Sequence, residues 1–141
     1  MPDRAWRSPA PTERALLDTL LQAETPHRDT LRAQLDGVLV AEMRCAGEAS
    51  LDLNVRDGAR RLPEGHTPAI IDAEGFDRAG QRVSVSLLAA NGLLTRLEVL
   101  YLGTAAPSPI DLATLRQLDA VPRGTRELVW LVPRKRPLLG S

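Results

Sequence analysis

Three carboxylates, Asp72, Glu74 and Asp77, fall within six positions of the stretch DAEGFDRAGQRVSVSLL, and His66 stands shortly before them. A carboxylate beside an imidazole is the minimum for general acid–base work, and several carboxylates together are the minimum for a hard cation. The spacing argues against the cation. A calcium loop of the EF-hand type closes with a bidentate Glu at its twelfth position, and the twelfth residue counted from Asp72 is Val83. On a strand, Asp72 and Glu74 share one face about 7 Å apart, whereas Asp77 points away.

The remaining reactive side chains are isolated. His27 is expected in the first turn of a helix, where a cation is unfavourable. Cys45, in MRCAGEAS, is the only cysteine, so neither an internal disulfide nor a multi-cysteine zinc site is expected. Arg44 beside it would favour the thiolate, but no base or C-x-x-C partner accompanies it. The chain contains no G-x-S-x-G, phosphate-loop, dinucleotide or H-E-x-x-H signature. No catalytic residue, metal ligand or cofactor is therefore assigned, and the balance is against an enzyme.

The elements that position these residues follow from periodicity. Residues 1–11 carry three prolines and read as a flexible arm. Thr12 would cap a first helix with the stripe Leu16, Leu17, Leu20 and Leu21. Thr25 and Pro26 would open a second, carrying Leu31 and Leu35, with Gly37 just past its end. From Val38 the period becomes two. VLVAEM, SLDLNV, AIIDAEGFD, RVSVSLLA and LLTRLEVLYL read as strands, with a long loop over residues 56–68. Ser108-Pro109-Ile110-Asp111 resembles a capping box opening a short helix through Leu118, and Leu128 to Val132 could add a strand. The hairpin connections are too short for parallel crossovers. The expected fold is α+β: an N-terminal helical hairpin, an antiparallel sheet of about five strands, and a short helix near the C-terminus. One domain over 12–132 is followed by a basic tail over 133–141.

Register decides where the acids point. A three-residue loop, Arg78-Ala79-Gly80, pairs Asp77 with Gln81, Glu74 with Ser84 and Asp72 with Ser86, leaving Ile71 and Ala73 on the core face. A four-residue loop would set both acids among aliphatics, at a cost of several kcal/mol each. For the next turn, a two-residue Asn91-Gly92 loop would pair Val85 with Glu98 and Leu87 with Arg96. Ala90-Asn91-Gly92 as a three-residue loop avoids this and predicts the outer rows Asp72–Ser86–Arg96 and Glu74–Ser84–Glu98. In that register Leu88, Leu94 and Leu100 fall on the outer face, where they form an apolar patch suited to a partner or to a second copy of the chain unless the segment Leu128 to Val132 covers them.

Eighteen basic and eighteen acidic side chains give a net charge of zero, so the overall balance does not supply the positive surface that nucleic-acid binding needs. Local clusters remain at Arg56, Arg60 and Arg61, and at Arg134, Lys135 and Arg136 after Trp130. Seventeen of the cations are Arg, a bias expected of a GC-rich bacterial genome. No apolar run approaches the ~20 residues of a membrane span, and no secretory leader is evident. The expectation is a cytoplasmic protein.

TERALLDTLL, Leu31-x-x-x-Leu35, SLDL at 50–53 and AEGFDRAGQRVSVSLLAANGLLTRLEVLY together resemble a group of small bacterial proteins known only as a domain of unknown function. The resemblance covers residues 12–118. The group's pattern has Gly-Ser before the second strand, where this chain has Ala49-Ser50, and an Asp-x-Asp-Gly turn, where it has Asp77-Arg78-Ala79-Gly80. An acidic position that can become alanine is a poor catalytic candidate. The resemblance implies no activity and assigns no functional residue.

The sequence thus points to a non-enzymatic binding or accessory protein, for example an immunity-type inhibitor of a bacterial toxin. Leu88, Leu94, Leu100, Arg96, Trp130, Arg134, Lys135 and Arg136 are its candidate contact residues. The alternatives are a small hydrolase or metal-dependent enzyme using His66 with Asp72 or Glu74, and nucleic-acid binding through the arginine clusters.

Overall fold

The structure, a computed structural model, describes residues 5–22, 27–43, 49–63, 69–103 and 106–118. Helices α1 (Pro11–Leu20) and α2 (Arg28–Leu35) precede strands β1 (Leu39–Glu42), β2 (Leu51–Asn54), β3 (Ala69–Phe76), β4 (Arg82–Ala90) and β5 (Leu93–Tyr101). A single 3-10 turn, Leu112–Thr114, leads into a short sixth strand, β6 (Arg116–Leu118). The class is α+β. All strand pairs are antiparallel, in the order β1-β2-β5-β4-β3-β6.

Helix α1 starts at Pro11, one residue before the expected Thr12 cap. The Glu13 carboxylate accepts the backbone N–H of Ala10 at 2.8 Å, so a side chain within the first turn closes the helix start. The Arg7 guanidinium donates to both Glu13 oxygens, at 2.7 and 2.9 Å, and holds the Glu13 carboxyl below its ordinary pKa despite burial. The backbone of Arg7 also exchanges two hydrogen bonds with Val40. The segment read as a flexible arm is therefore fastened to β1, in its described part, by a backbone bridge and an ion pair. Helix α2 begins after His27, which adopts a left-handed conformation outside the helix rather than lying in its first turn. Thr25 and Pro26 lie outside the described residues. Arg14 of α1 donates to the Leu35 carbonyl at 2.7 Å, satisfying an acceptor at the end of α2.

The core is aliphatic, as the scarcity of aromatics requires. Leu16, Leu17 and Leu20 of α1, with Leu31 and Leu35 of α2, pack on Val40, Leu51, Ile71, Val83, Val85, Leu87, Leu97 and Val99. These sheet residues all lie on one face, which the helices cover.

The β3–β4 hairpin has the expected register: Asp72 faces Ser86, Glu74 faces Ser84, and Gly80 takes φ +86° in the loop. The β4–β5 hairpin differs. Asn91 and Gly92 have φ of 54° and 81°, the signature of a two-residue type I′ turn, and Ala90 pairs with Leu93. A β-bulge then shifts the register by one residue between Ala89–Leu94 and Leu88–Arg96, so that Thr95 is the extra residue. Beyond it Leu87 faces Leu97 and Val85 faces Val99. The three-residue loop is thus corrected. The conflict it was meant to remove is real, but the chain resolves it by bulging one strand and keeping the favoured turn. Leu94 consequently lies in the core, 1% exposed, and not on the outer face. The outer rows become Asp72–Ser86–Glu98 and Glu74–Ser84–Leu100.

The bulge is held from the helix layer. Gln34 of α2 is fully buried, and its Oε1 accepts the N–H of Leu94 at 2.8 Å. Its Nε2 donates to the carbonyls of Arg60 and Gly92, both at 2.8 Å. Leu62 N–H also donates to the Gly92 carbonyl, at 2.8 Å. The backbone passes so close that a Cβ on Gly92 would stand 2.8 Å from the Leu62 oxygen.

The helix expected from Ser108 to Leu118 is replaced by the 3-10 turn and β6. The cap is Asp111 rather than Ser108, its carboxylate accepting Ala113 N–H at 3.1 Å. The turn goes no further than Thr114 because residues 116–118 pair with β3, and the chain ahead of the turn is tied to the same hairpin: Asp111 N–H donates to Phe76 O at 3.0 Å and Arg78 N–H to Pro109 O at 2.9 Å. A helix this short has little stability of its own, so pairing with β3 prevails. The strand expected at Leu128 to Val132 and the tail at 133–141 lie outside the described residues.

Replacing Gln34 by Leu keeps the volume but leaves one N–H and part of two carbonyls without their partner. Urea unfolding should show a loss of about 3 kcal/mol at pH 7. A loss under about 1 kcal/mol would mean that the turn and bulge stand without the glutamine.

Candidate functional site

The acidic stretch separates into three environments. Asp72 is 7% exposed, and the Ser86 hydroxyl donates to its Oδ1 at 2.5 Å. Its neighbour on the other side is Leu118 of β6. The face expected to be solvated is therefore closed at Asp72. Glu74, by contrast, is half-exposed and pairs with Arg82 at 3.3 Å.

Asp77 is buried and organises the hairpin loop. Its Oδ1 accepts the N–H groups of Ala79 and Gln81, at 2.9 and 2.8 Å, and its Oδ2 accepts Gln81 Nε2 at 2.9 Å. Burial pushes this carboxyl up, but the donors from Gln81 and Ala79 outweigh it and hold the group below its ordinary value. Gln81 Nε2 also donates to Ala106 O, and the Tyr101 hydroxyl donates to Ser108 O at 3.0 Å. Burial and the Asp77 charge together raise the Tyr101 phenol. An Asp four residues before Gln81 in a glycine-terminated loop is the signal of such a side-chain turn. This makes Asp77 a structural carboxylate.

The expected contact residues do not form one patch. Leu88 and Leu100 lie half-buried on the outer face, whereas Leu94 is in the core. Arg96 is on the outer face, but its neighbour is Asp52 of β2, at 3.8 Å, rather than Asp72 or Glu74. Trp130, Arg134, Lys135 and Arg136 lie outside the described residues, as do His66 and Cys45. In the loop cluster, Arg61 donates to Asn91 O at 2.7 Å, while Arg56 and Arg60 are exposed. Among the described residues no three His, Cys, Asp or Glu side chains are grouped to hold a metal ion.

What periodicity did not indicate is a groove where β3 meets the 3-10 turn. Glu74, Gly75, Phe76, Arg82, Ala113, Thr114, Leu115 and Arg116 line this open groove of about 550 Å³. Gly75 lets the two backbones approach, since a Cβ at that position would lie 3.0 Å from both Leu115 Cα and Thr114 O. The Thr114 hydroxyl accepts Phe76 N–H at 2.9 Å and donates to Asp111 O at 2.8 Å, which fixes the wall. Phe76 and Leu118, 45% and 47% exposed, stand at this end of the sheet. The only sequence signal was a glycine inside an otherwise regular strand, which marks a close backbone approach.

Because the Asp77 carboxyl titrates below its ordinary value near 3.8, its contribution to stability is complete above that pH and fades as the pH falls through the lower folded value. Asp77→Asn should therefore be less stable than the wild type at pH 7, and the gap should narrow below about pH 4. Thermal unfolding of both proteins from pH 7 to pH 2.5 checks this. A gap that stays constant with pH would mean that the charge contributes nothing.

No family model, curated protein or solved structure matches this chain.

Proposed function

We propose that this is a non-enzymatic protein-binding module, working through the outer sheet face at the β3–β6 end. The observation that carries the reading is the exposure of Phe76 in the wall of the groove, with Leu118 exposed further along the same face, opposite Asp72. Burying a large apolar side chain is worth about 1.5–3 kcal/mol, and the chain has only four aromatic residues. To leave a phenylalanine nearly half in water is a cost that a partner would recover. The ionisable groups nearest the groove support the same reading. Asp72 and Asp77 serve internal hydrogen bonds, and Glu74 is paired with Arg82. An inhibitor of the immunity type, acting in the cytoplasm on a bacterial toxin, is one form such a module would take, and a self-associating dimer is another.

The immobilised 141-residue chain should retain a partner from lysate of its source organism, and both Phe76→Asp and Leu118→Asp should lower that retention at least tenfold. Arg32→Glu, on the exposed face of α2, should leave it unchanged. Identical retention by all four proteins would overturn the assignment of this face. A dimer of the purified chain that both face variants dissociate would identify the partner as a second copy.

A further inference from the structure

The groove has a chemical preference as well as a shape. Its charged walls are two guanidiniums, Arg82 and Arg116, and one carboxylate, Glu74. Glu74 is neutralised by Arg82 at 3.3 Å. Arg116 stands opposite Glu74 in the β3–β6 register and is exposed, with no ion-pair partner among the described residues. A guanidinium offers several N–H donors and no acceptor. Thr114, the neutral polar side chain in the wall, already uses its hydroxyl within the wall. The unused capacity is therefore dominated by donors and positive charge, beside an exposed aromatic ring. Arg also binds carboxylates through a planar fork that Lys cannot reproduce.

We infer that the groove takes an acidic peptide segment, one that sets a carboxylate against Arg116 and lays an apolar side chain from the same face of the segment on Phe76. This rests on the protein-binding reading and gives it a partner chemistry. Complementary charge fixes the orientation of such a segment and speeds its encounter, while the apolar contact supplies most of the retention. A strand-like peptide suits the site, because alternate side chains on one face would meet Arg116 and Phe76 in turn.

The test is fluorescence anisotropy on the full chain with three labelled probes of equal length: a repeating Gly-Glu-Leu peptide, a repeating Gly-Lys-Leu peptide and oligothymidine. The acidic peptide should bind at least tenfold more tightly than the basic one. Arg116→Glu should weaken it tenfold or more, Arg116→Lys and Phe76→Ala severalfold, and Arg56→Glu not at all. Unchanged unfolding midpoints would show that the variants remain folded. Equal binding of the two peptides, or indifference to Arg116→Glu, would overturn the inference. So would oligothymidine binding as tightly as the acidic peptide and weakened by Arg56→Glu, because that describes a general polyanion surface. If the peptide experiment fails while Phe76→Asp still releases the partner from immobilised protein, only the acidic assignment falls. If neither responds, the protein-binding reading falls with it.

Discussion

The side-chain amide of Gln34 is the contact on which the rest of this fold turns. A type I′ turn at Asn91-Gly92 matches the natural twist of a hairpin but starts β5 in a register that would bury Arg96 and Glu98. The bulge at Thr95 restores the alternation, at the expense of the regular ladder around Leu94. Gln34 supplies the acceptor for Leu94 N–H and ties the same turn to the 60–62 segment. A single buried side chain thus joins the helix layer, the hairpin end and the long loop. Buried polar groups are costly unless satisfied, and this one makes three hydrogen bonds.

That register determines what the outer face presents. Relative to a three-residue loop, β5 moves by one position at Leu94, which enters the core, and by two beyond the bulge, where Arg96 lies beside Asp52. It also sets Glu98 and Leu100 alongside the serines of β4. A face that looked like one apolar patch with a basic centre becomes a mixed surface. Exposed apolar area is left at its far end, around Phe76 and Leu118. Ser50 extends the logic to β2, accepting Val99 N–H at 2.8 Å where the β2–β5 pairing ends.

Much of this was readable in the residues. The period change at Val38, the stripes of α1 and α2, and the Arg78-Ala79-Gly80 loop follow from local rules that tertiary structure had no reason to override. Gln34 was not readable, because a glutamine on a short helix is ordinarily a surface residue. Nothing local distinguishes one that meets a turn fifty-eight residues away. The 108–118 segment failed for the opposite reason. Its capping signal is displaced, since Asp111 and not Ser108 caps a turn, and the edge of β3 offered backbone partners that a short helix could not match. The groove inherits that failure, since one of its walls is the segment expected to be helical.

The bridge between Arg7 and Val40 has a bearing on how the chain keeps to itself. A sheet edge with open N–H and C=O groups is a template for another strand, and proteins with such edges tend to join edge to edge. At the middle of β1 those groups are already taken by the backbone of residue 7. The Arg7 side chain sets a guanidinium between Glu13 and Glu42 at the same place. An incoming strand would have to displace a paired backbone and desolvate three charges. A few residues ahead of the first helix thereby act as a gatekeeper for one of the sheet's two edges, turning association away from β1.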